Sequence, residues 1–385
     1  RLKKLPDGSI DSIVTDPPYE LGFMDKKWDS SGIAYNIEVW RECLRVLKAG
    51  GHLLAFGGTR TMHRIACAIE DAGFEIRDMI SWFYFSGFPK IFNNKINVSK
   101  AIDKHFGVER KVLSERETNF LARKTKDGQI IKGDMLMSHQ KGVSTIKITE
   151  PATDEAKKWA GYGTALKPSQ EPIILARKPI EAGTIARQIL ETGTGAINID
   201  GCRFGYGDPC WVGPQHKYEK IHNPNFKNES CLMSHENIRH DLFSEAHTFG
   251  RWPANIYQCA KPSRSEKEAG CQDLPHITGA QATNRKEGSA GLQNPRAGSG
   301  RSSSEIRNTH PTVKPLKLMR WLVRLVTPQG GTVLDPFCGS GTTIAAATLE
   351  GFDSVGVELT AEYLPIIHAR VEWSRSEFWN EHLQL

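Results

Sequence analysis

The first 85 residues alternate between short apolar runs and stretches with helical spacing of apolar side chains. The runs of strand length are residues 9–15, 52–56 and 75–85. Between them, residues 37–47 and 63–72 have the helical pattern, and the first helix is expected to end at the basic residue and glycines of residues 48–51. This alternation predicts a doubly wound α/β fold with a mostly parallel sheet.

The same alternation resumes near the C-terminus after a long interruption. The predicted helices and strands there are residues 316–326, 331–334, 343–349, 354–357 and 361–373. Within the interruption, residues 171–177 have the apolar pattern of a strand that returns to the sheet. The sheet is therefore expected to be split into two halves that flank a large insertion.

Charge is distributed unevenly along the 385 residues, 24% of which are charged, for a net charge of +6. Residues 90–160 contain 15 Lys and Arg against 9 Asp and Glu, an excess as large as that of the whole chain. Such a local surplus suits the phosphates of nucleic acid. A solvated loop face explains it equally well.

Membrane, secretion and metal signals are weak in this sequence. No run approaches the ~18 apolar residues of a membrane helix and no signal peptide opens the chain, so a cytoplasmic protein is expected. The eight cysteines are interpreted as reduced thiols. Only the loose Cys231–His235 pair approaches zinc spacing, and no metal is expected.

Asp16, Pro17, Pro18 and Tyr19 follow the first predicted strand, at the edge where open α/β sheets bind ligands. The exocyclic amine of a nucleobase is a poor nucleophile because its lone pair is conjugated with the ring. The Asp16 carboxylate and the Pro17 carbonyl are suited to accept its two N–H bonds, and the prolines stiffen the turn. Tyr19 offers an aromatic face to a base taken out of the stack. A simple turn is the alternative interpretation.

A glycine-rich turn at residues 335–343 lies between a predicted strand and a predicted helix. Gly339 and Gly341 let a ligand approach the backbone near the N–H groups that begin the helix. The turn matches neither a phosphate loop nor the full dinucleotide fingerprint. Glu358, at the end of the next strand, is able to accept both hydroxyls of a ribose. The pattern predicts a site for a nucleoside cofactor.

These motifs and their order resemble the S-adenosylmethionine-dependent DNA amino-methyltransferases of the permuted beta arrangement, above all phage-type members. In that arrangement the catalytic motif precedes target recognition, and the cofactor motif comes last. The segments that carry the resemblance are residues 15–19 (TDPPY), 81–90 (ending in SGFPK), 171–176, 250–255 (GRWPAN), 310–315 (HPTVKP), 335–343 (DPFCGSGTT) and 357–358. The resemblance implies a Rossmann-like, seven-stranded-type sheet and S-adenosylmethionine as cofactor.

The resemblance also implies roles for single residues. Asp16, Pro17, Pro18 and Tyr19 would engage the flipped base. The residues that would bind the cofactor are His310, Thr312, Lys314, Pro315, Asp335, Phe337, Gly339, Gly341, Thr342 and Glu358, with Lys314 at the methionine carboxylate and Glu358 on the ribose. The residues that would contact DNA are Phe88, Lys90, Arg251 and Trp252.

The domain plan follows from the same motif order. The expected parts are residues 1–90 and 308–385 as the two halves of the catalytic domain, 91–165 as a basic insertion, 166–180 as the returning strand, and 181–307 as the target-recognition region with a mobile loop at 278–307. The family also places a strand with a Gly-Asp pair just before the position of Leu5. That strand is absent and the chain begins with Arg1, so either a native start is missing or another segment takes the place of the strand.

The implied reaction is direct in-line methyl transfer to an amine of double-stranded DNA, with no covalent enzyme–base intermediate. Adenine N6 is favoured over cytosine N4 because the motif begins with Asp, where cytosine-amine members more often have Ser. A methyltransferase of RNA or protein glutamine and an inactive DNA-binding module are the remaining alternatives. A homodimer and a cognate restriction endonuclease stay open as partners.

Overall fold

The computed structural model describes residues 1–22, 27–85, 98–118, 122–124, 130–132, 144–205, 207–210, 250–278 and 305–383. Two compact units are present, one made of residues 1–86 with 169–385 and the other of residues 87–168. The predictions for Phe88, Lys90 and the Cys231–His235 pair lie outside the described residues, as does most of the predicted loop 278–307.

The strands and helices follow one another as the sequence pattern predicts in both halves of the chain. In chain order the strands are β1 (Ile10–Thr15), β2 (Leu47–Phe56), β3 (Glu75–Phe83), β4 (Val112–Thr118), β5 (Ala122–Lys124), β6 (Ile130–Lys132), β7 (Ser144–Thr149), β8 (Gln170–Arg177), β9 (Ile256–Gln258), β10 (Ile277–Thr278), β11 (Glu305–Ile306), β12 (Thr332–Asp335) and β13 (Asp353–Gly356). The helices are α1 (Ile37–Val46), α2 (Met62–Asp71), α3 (Val98–His105), α4 (Asp154–Lys158), α5 (Ile185–Thr192), α6 (Arg264–Glu268), α7 (Leu316–Val326), α8 (Thr342–Leu349) and α9 (Leu364–Leu383).

A seven-stranded sheet forms the centre of the larger unit, with strand order β13-β12-β1-β2-β8-β3-β9. The pairs β13–β12, β12–β1, β1–β2 and β3–β9 are parallel. Strand β8 runs antiparallel to both of its neighbours, β2 and β3. The predicted doubly wound α/β fold, mostly parallel and seven-stranded, is confirmed, and so is the predicted return of residues 171–177 to the sheet.

The direction of β8 decides which of its ends lies at the ligand-binding edge. Phe56, the last residue of β2, pairs with Ile173 near the start of β8, whereas Arg177 at its end pairs with Glu75, the first residue of β3. The beginning of β8 therefore lies beside the carboxyl ends of β1 and β2. Open α/β sheets bind their ligands at that edge.

One predicted boundary is wrong. Residues 48–51 do not end helix α1, because the helix stops at Val46 and β2 starts directly at Leu47. Gly50 has a φ of 79° and donates its N–H to the Lys178 carbonyl, 3.1 Å away. A Cβ at Gly50 would come within 2.9 Å of the Gln188 side chain. The glycine is thus required by a close approach of chain inside the sheet rather than by a helix end.

Successive side chains of the central strands point to opposite faces and fill two hydrophobic cores. Val14 and Leu54 pack in the core that contains Trp321 of helix α7. Ile13 and Leu53 pack in the other core, under helices α1 and α2. Because both faces of the sheet are covered, every residue of β1 is buried. This packing keeps β1 in fixed register with the strands on either side of it.

In the smaller unit, the buried Asp103 of helix α3 links two helices. Its carboxylate accepts the backbone N–H groups of Thr153 and Ala152 and so joins α3 to the start of α4. Strands β4 and β7 of this unit form an antiparallel pair.

Across the whole described part of the chain, none of the helices combines the length and apolar composition that crossing a membrane requires.

Candidate active site

The two motifs at opposite ends of the chain meet at the edge of the sheet. Strand β1 pairs in parallel with β12, with Ile13 opposite Leu334. At the ends of these strands the Thr15 hydroxyl donates to the Asp335 carboxylate over 2.6 Å, across 320 positions of sequence. Asp16 and the glycine-rich turn therefore start from adjacent strand ends.

The turn after Asp16 is held rigidly by a buried aspartate that the sequence analysis did not single out. Asp29 accepts the backbone N–H groups of Glu20 and Leu21 at 3.0 and 3.2 Å. Glu20 has a φ of 55°, which is strained for a residue with a side chain. The Thr61 hydroxyl also donates to the Tyr19 carbonyl over 2.8 Å. These bonds fix the backbone on which Tyr19 is mounted.

The Asp16 carboxylate has two different environments. Its Oδ2 atom accepts a hydrogen bond from the Lys314 ammonium group. Its Oδ1 atom is buried and has no hydrogen-bond partner. Burial raises the pKa of Asp16, against the opposing effect of Lys314. Buried carboxylate oxygens are almost always hydrogen-bonded, so Oδ1 is an acceptor that suits an incoming N–H donor.

Tyr19 is oriented by a second carboxylate, Glu171 at the start of β8. The Tyr19 hydroxyl donates to Glu171 Oε2 over 2.9 Å. Burial raises the pKa of Tyr19 well above its ordinary value, and the charges of Asp16 and Glu171 add to that effect. The phenol therefore stays protonated and remains a donor.

Lys314 joins the two carboxylates. Its side chain is 8% exposed, and its Nζ lies 3.6 Å from Glu171 Oε2 as well as against Asp16. The same Nζ lies 4.7 Å from the ring centre of Phe56 and 5.2 Å from that of Tyr19. Here Lys314 contacts the motif proposed to hold the base, and its role at the cofactor carboxylate stays a prediction.

Glu171 was quoted in the sequence motifs without a role. Burial by itself would raise the pKa of Glu171, but the nearby ammonium groups of Lys314 and Lys261, together with the hydrogen bond from Tyr19, lower it. The available signal was a single acidic residue directly before the apolar run of residues 172–176. The antiparallel direction of β8 is what places Glu171 beside Tyr19 and Lys314.

The glycine-rich turn is braced by Glu358. Glu358 Oε2 accepts the Gly339 N–H over 2.7 Å, and Oε1 accepts the Thr360 N–H over 2.8 Å. Gly339 and Gly341 have φ angles of 54° and 76°, and a Cβ at Gly339 would come within 2.9 Å of the His310 ring. Each carboxylate oxygen of Glu358 keeps a further lone pair for a ligand hydroxyl.

Asp335 begins this turn as a fully buried carboxylate. Burial raises its pKa to about 6, although hydrogen bonds from Thr15, Thr343 and the Phe337 backbone favour the ionised form. The neighbouring Cys338 thiol is also buried, and its pKa is raised well above the ordinary value. Cys338 is therefore a neutral thiol that fills space in the turn.

The segment 308–316 lies over the turn and is fastened to helix α6. The His310 ring packs edge-on against Tyr363 with 4.7 Å between ring centres. The Leu316 N–H donates to Glu266 Oε1 over 2.6 Å, and the buried guanidinium of Arg370 donates to the Glu266 carbonyl over 3.1 Å. The remaining residues predicted to bind the cofactor lie in this segment or in the turn: Thr312 and Phe337 half-buried, Pro315 and Thr342 buried.

Arg251 and Trp252 lie near the edge strand β9. The backbone of Arg251 pairs with that of Phe204, in an isolated bridge. Trp252 is 66% exposed, and the Arg203 guanidinium lies 5.4 Å from the centre of its ring. Such an exposed indole is available for contact with a partner, and its assignment to DNA stays a prediction. In the described residues, no group of three or more His, Cys, Asp or Glu forms a potential metal site.

Comparisons with known proteins agree on one family. A family model described as DNA methylase, for N6 and N4 methyltransferases, matches residues 10–369. The type II methyltransferase M.HindIII of Haemophilus influenzae is 24% identical over 389 residues, covering 90% of this chain and 84% of its own. The DNA adenine methyltransferase YhdJ of Escherichia coli is 42% identical over 55 residues, 14% of this chain and 19% of its own. The solved structure of the cytosine-N4-specific PvuII DNA methyltransferase is 14% identical and aligns over 100% of this chain and 89% of its own, with a TM-score of 0.44.

Proposed function

Since the chain belongs to the DNA methylase family of S-adenosylmethionine-dependent amino-methyltransferases, we propose that it methylates the N6 amine of adenine at a specific sequence of duplex DNA. The observation that carries the proposal is the buried, unpartnered Oδ1 atom of Asp16 beside the cofactor turn. A buried acceptor without a donor fits the amine of a base that enters from outside.

Asp16 and Pro17 divide the two N–H bonds of the amine between them. The Asp16 carboxylate accepts one hydrogen bond and the Pro17 carbonyl the other, which frees the nitrogen lone pair for attack. Tyr19 offers its ring face to the extruded base and offsets part of the cost of extrusion, on the order of a few kcal/mol. The sites are preorganised by packing, so alignment supplies much of the rate enhancement.

The residues of the turn fit the cofactor. S-adenosylmethionine supplies an activated methyl group when it is bound. The Gly339 backbone approaches the His310 ring so closely that a Cβ would collide with it, so glycine is what lets the segment 308–316 lie directly against the turn. Glu358 faces the turn with lone pairs for ribose hydroxyls, and the start of helix α8 presents backbone N–H groups.

Adenine is favoured over cytosine because the motif begins with Asp16, whereas cytosine-amine members of the family more often have Ser there.

The basic charge of the chain is concentrated in the smaller unit. Residues 87–168 carry 16 Lys and Arg against 9 Asp and Glu, a net charge of +7. The remaining residues carry 34 against 35, a net charge of −1. Phosphate contacts need such a surplus. We assign backbone contacts to this unit and sequence recognition to residues 181–307, which include Arg251 and Trp252.

Nucleoside mass spectrometry tests the proposed function. The protein is incubated with unmethylated DNA and isotopically labelled S-adenosylmethionine, and the DNA is digested to nucleosides. Label on N6 of adenine is the expected result. Label on N4 of cytosine would refute the choice of base while preserving the family, and label on neither base would refute the enzymatic assignment.

A further inference from the structure

We propose that Glu171 is a positioning residue of the methyl-transfer site, which holds Tyr19 through its hydroxyl and holds Lys314 beside Asp16. The inference rests on the proposed function because it concerns the same site. The motifs assign no role to Glu171, and in the proposed reaction it contacts neither the base nor the cofactor. It acts through the residues that do.

Strand topology brings Glu171 to the site. Residue 171 is the second residue of β8, and β8 enters the sheet in the direction opposite to β2. Its first residues therefore lie at the edge where Phe56 and Thr15 end their own strands. A parallel strand in the same place would have carried Glu171 to the far edge of the sheet.

One hydroxyl and two ammonium groups converge on this one carboxylate. Oε2 accepts the Tyr19 hydroxyl at 2.9 Å and lies 3.6 Å from Lys314 Nζ. Oε1 accepts Lys261 Nζ at 3.2 Å. The Glu171 side chain is 15% exposed, so these partners replace most of its hydration. Such charge-assisted contacts are stronger than neutral ones and restrict all of the groups involved.

Charge balance explains why a second carboxylate is useful beside Asp16. Asp16, Glu171, Lys261 and Lys314 together carry no net charge. Lys314 lowers the pKa of Asp16 while Glu171 raises it. Glu171 therefore shares the charge of Lys314, and Oδ1 of Asp16 faces the amine as a stronger acceptor than one paired with an unshared ammonium group.

The aromatic partners of the lysines mark where the base would lie. Lys261 Nζ lies 4.0 Å from the ring centre of Tyr84, and Lys314 Nζ lies against the rings of Tyr19 and Phe56. Glu171 is the common anion of both lysines. Loss of its charge would release Lys261 from the Tyr84 ring and Lys314 from the Tyr19 and Phe56 rings.

The test is the pH profile of kcat for Glu171→Gln, measured with saturating labelled S-adenosylmethionine and long unmethylated DNA. Removal of a negative charge next to Asp16 should move the acid limb to lower pH by about one unit. The plateau should fall about tenfold, because Lys314 and Tyr19 lose a charged partner. An acid limb at the wild-type pH would overturn the proposal.

Glu75→Gln is the matched control, since Glu75 pairs with Arg177 at the opposite end of the same strand pair. It should leave the acid limb in place, and a shift equal to that of Glu171→Gln would overturn the proposal by showing a general effect of charge.

Tyr19→Phe removes only the hydroxyl and tests the same contact without disturbing a buried charge. It should raise KM for DNA about tenfold. Glu171→Gln should then reduce activity by a smaller factor in the Tyr19→Phe background than in the wild type. The proposal would be overturned by an unchanged KM in Tyr19→Phe. It would also be overturned if the separate effects of the two substitutions simply multiplied in the double variant.

Failure of this inference is distinguishable from failure of the proposed function. An active wild-type protein with an unshifted Glu171→Gln variant refutes the role of Glu171 alone. A wild-type protein that places no label on DNA refutes the function and this inference with it.

Discussion

Lys314→Met is the change that most directly tests the electrostatics of the site. Lys314 is buried between Asp16 and Glu171, and its Nζ lies 3.6 Å from the latter. With an effective dielectric constant of about 20, a pair of unit charges at that distance attracts by about 5 kcal/mol. The variant leaves two buried carboxylates without this cation, and the expected loss of stability is about 3–5 kcal/mol.

The same change should alter catalysis through Asp16. Without Lys314 the pKa of Asp16 rises further, because burial is then opposed by one cation fewer. The acid limb of kcat should move to higher pH by about one to three units. The measurement is kcat against pH at saturating DNA and S-adenosylmethionine, with cofactor affinity determined separately by calorimetry. Lys314→Arg, which keeps the charge, is the matched control and should retain most of the wild-type profile.

The stability of Lys314→Met should depend on pH with a definite sign. Loss of the cation raises the folded-state pKa of both Asp16 and Glu171, because burial is then opposed by one cation fewer at each carboxyl group. A carboxyl group with a raised pKa binds more protons in the folded state, so the deficit is small below about pH 4 and grows as pH rises. Urea unfolding at pH 5 and pH 8 should show the larger deficit at pH 8.

Two results would refute this reasoning. An acid limb that stays in place would show that Lys314 does not keep Asp16 ionised. Weaker cofactor binding with an unchanged limb would assign Lys314 to the methionine carboxylate instead, as the family resemblance implies.

Three further changes test the remaining parts of the molecule. Asp16→Ala should lower the rate of transfer at least about a hundredfold and leave cofactor affinity nearly unchanged, since it removes the amine acceptor while the glycine-rich turn and Glu358 stay in place; weaker cofactor binding would contradict that role. Gly339→Ala should weaken cofactor binding about tenfold in calorimetry, because its φ of 54° is unfavourable for alanine and its Cβ would collide with a histidine ring. Gly351→Ala has a φ of 76° and only ordinary contacts, so it controls for backbone strain. Replacing the exposed Lys157 and Lys158 by Gln should reduce the salt slope of DNA binding by up to about 2; an identical slope would exclude this face of the smaller unit from the phosphate contacts.

Local pattern was sufficient for most of the elements. Helix α7 has the bounds that its apolar spacing predicts, because its stripe faces a core and is bounded by Pro315 and Pro328. Helix α9 extends ten residues beyond its predicted end at Trp373, to Leu383. Its later turns are polar enough to weaken the apolar stripe that a prediction follows. The glycines of β2 gave a wrong prediction of where helix α1 ends. A close approach of two chain segments and the end of a helix both favour glycine, so the sequence pattern does not distinguish them.

The sequence by itself determined the α/β alternation, the two motifs and their order, and these were enough to indicate a nucleoside cofactor and an amine acceptor. Short-range periodicity records which side chains face a core, and a motif records the chemistry of a few neighbouring residues. Only the tertiary structure decided that β8 runs antiparallel, that Glu171 therefore reaches the Tyr19 hydroxyl, and that Lys314 pairs with Asp16 across 298 positions. Contacts between distant segments depend on strand direction and packing, which no local pattern encodes.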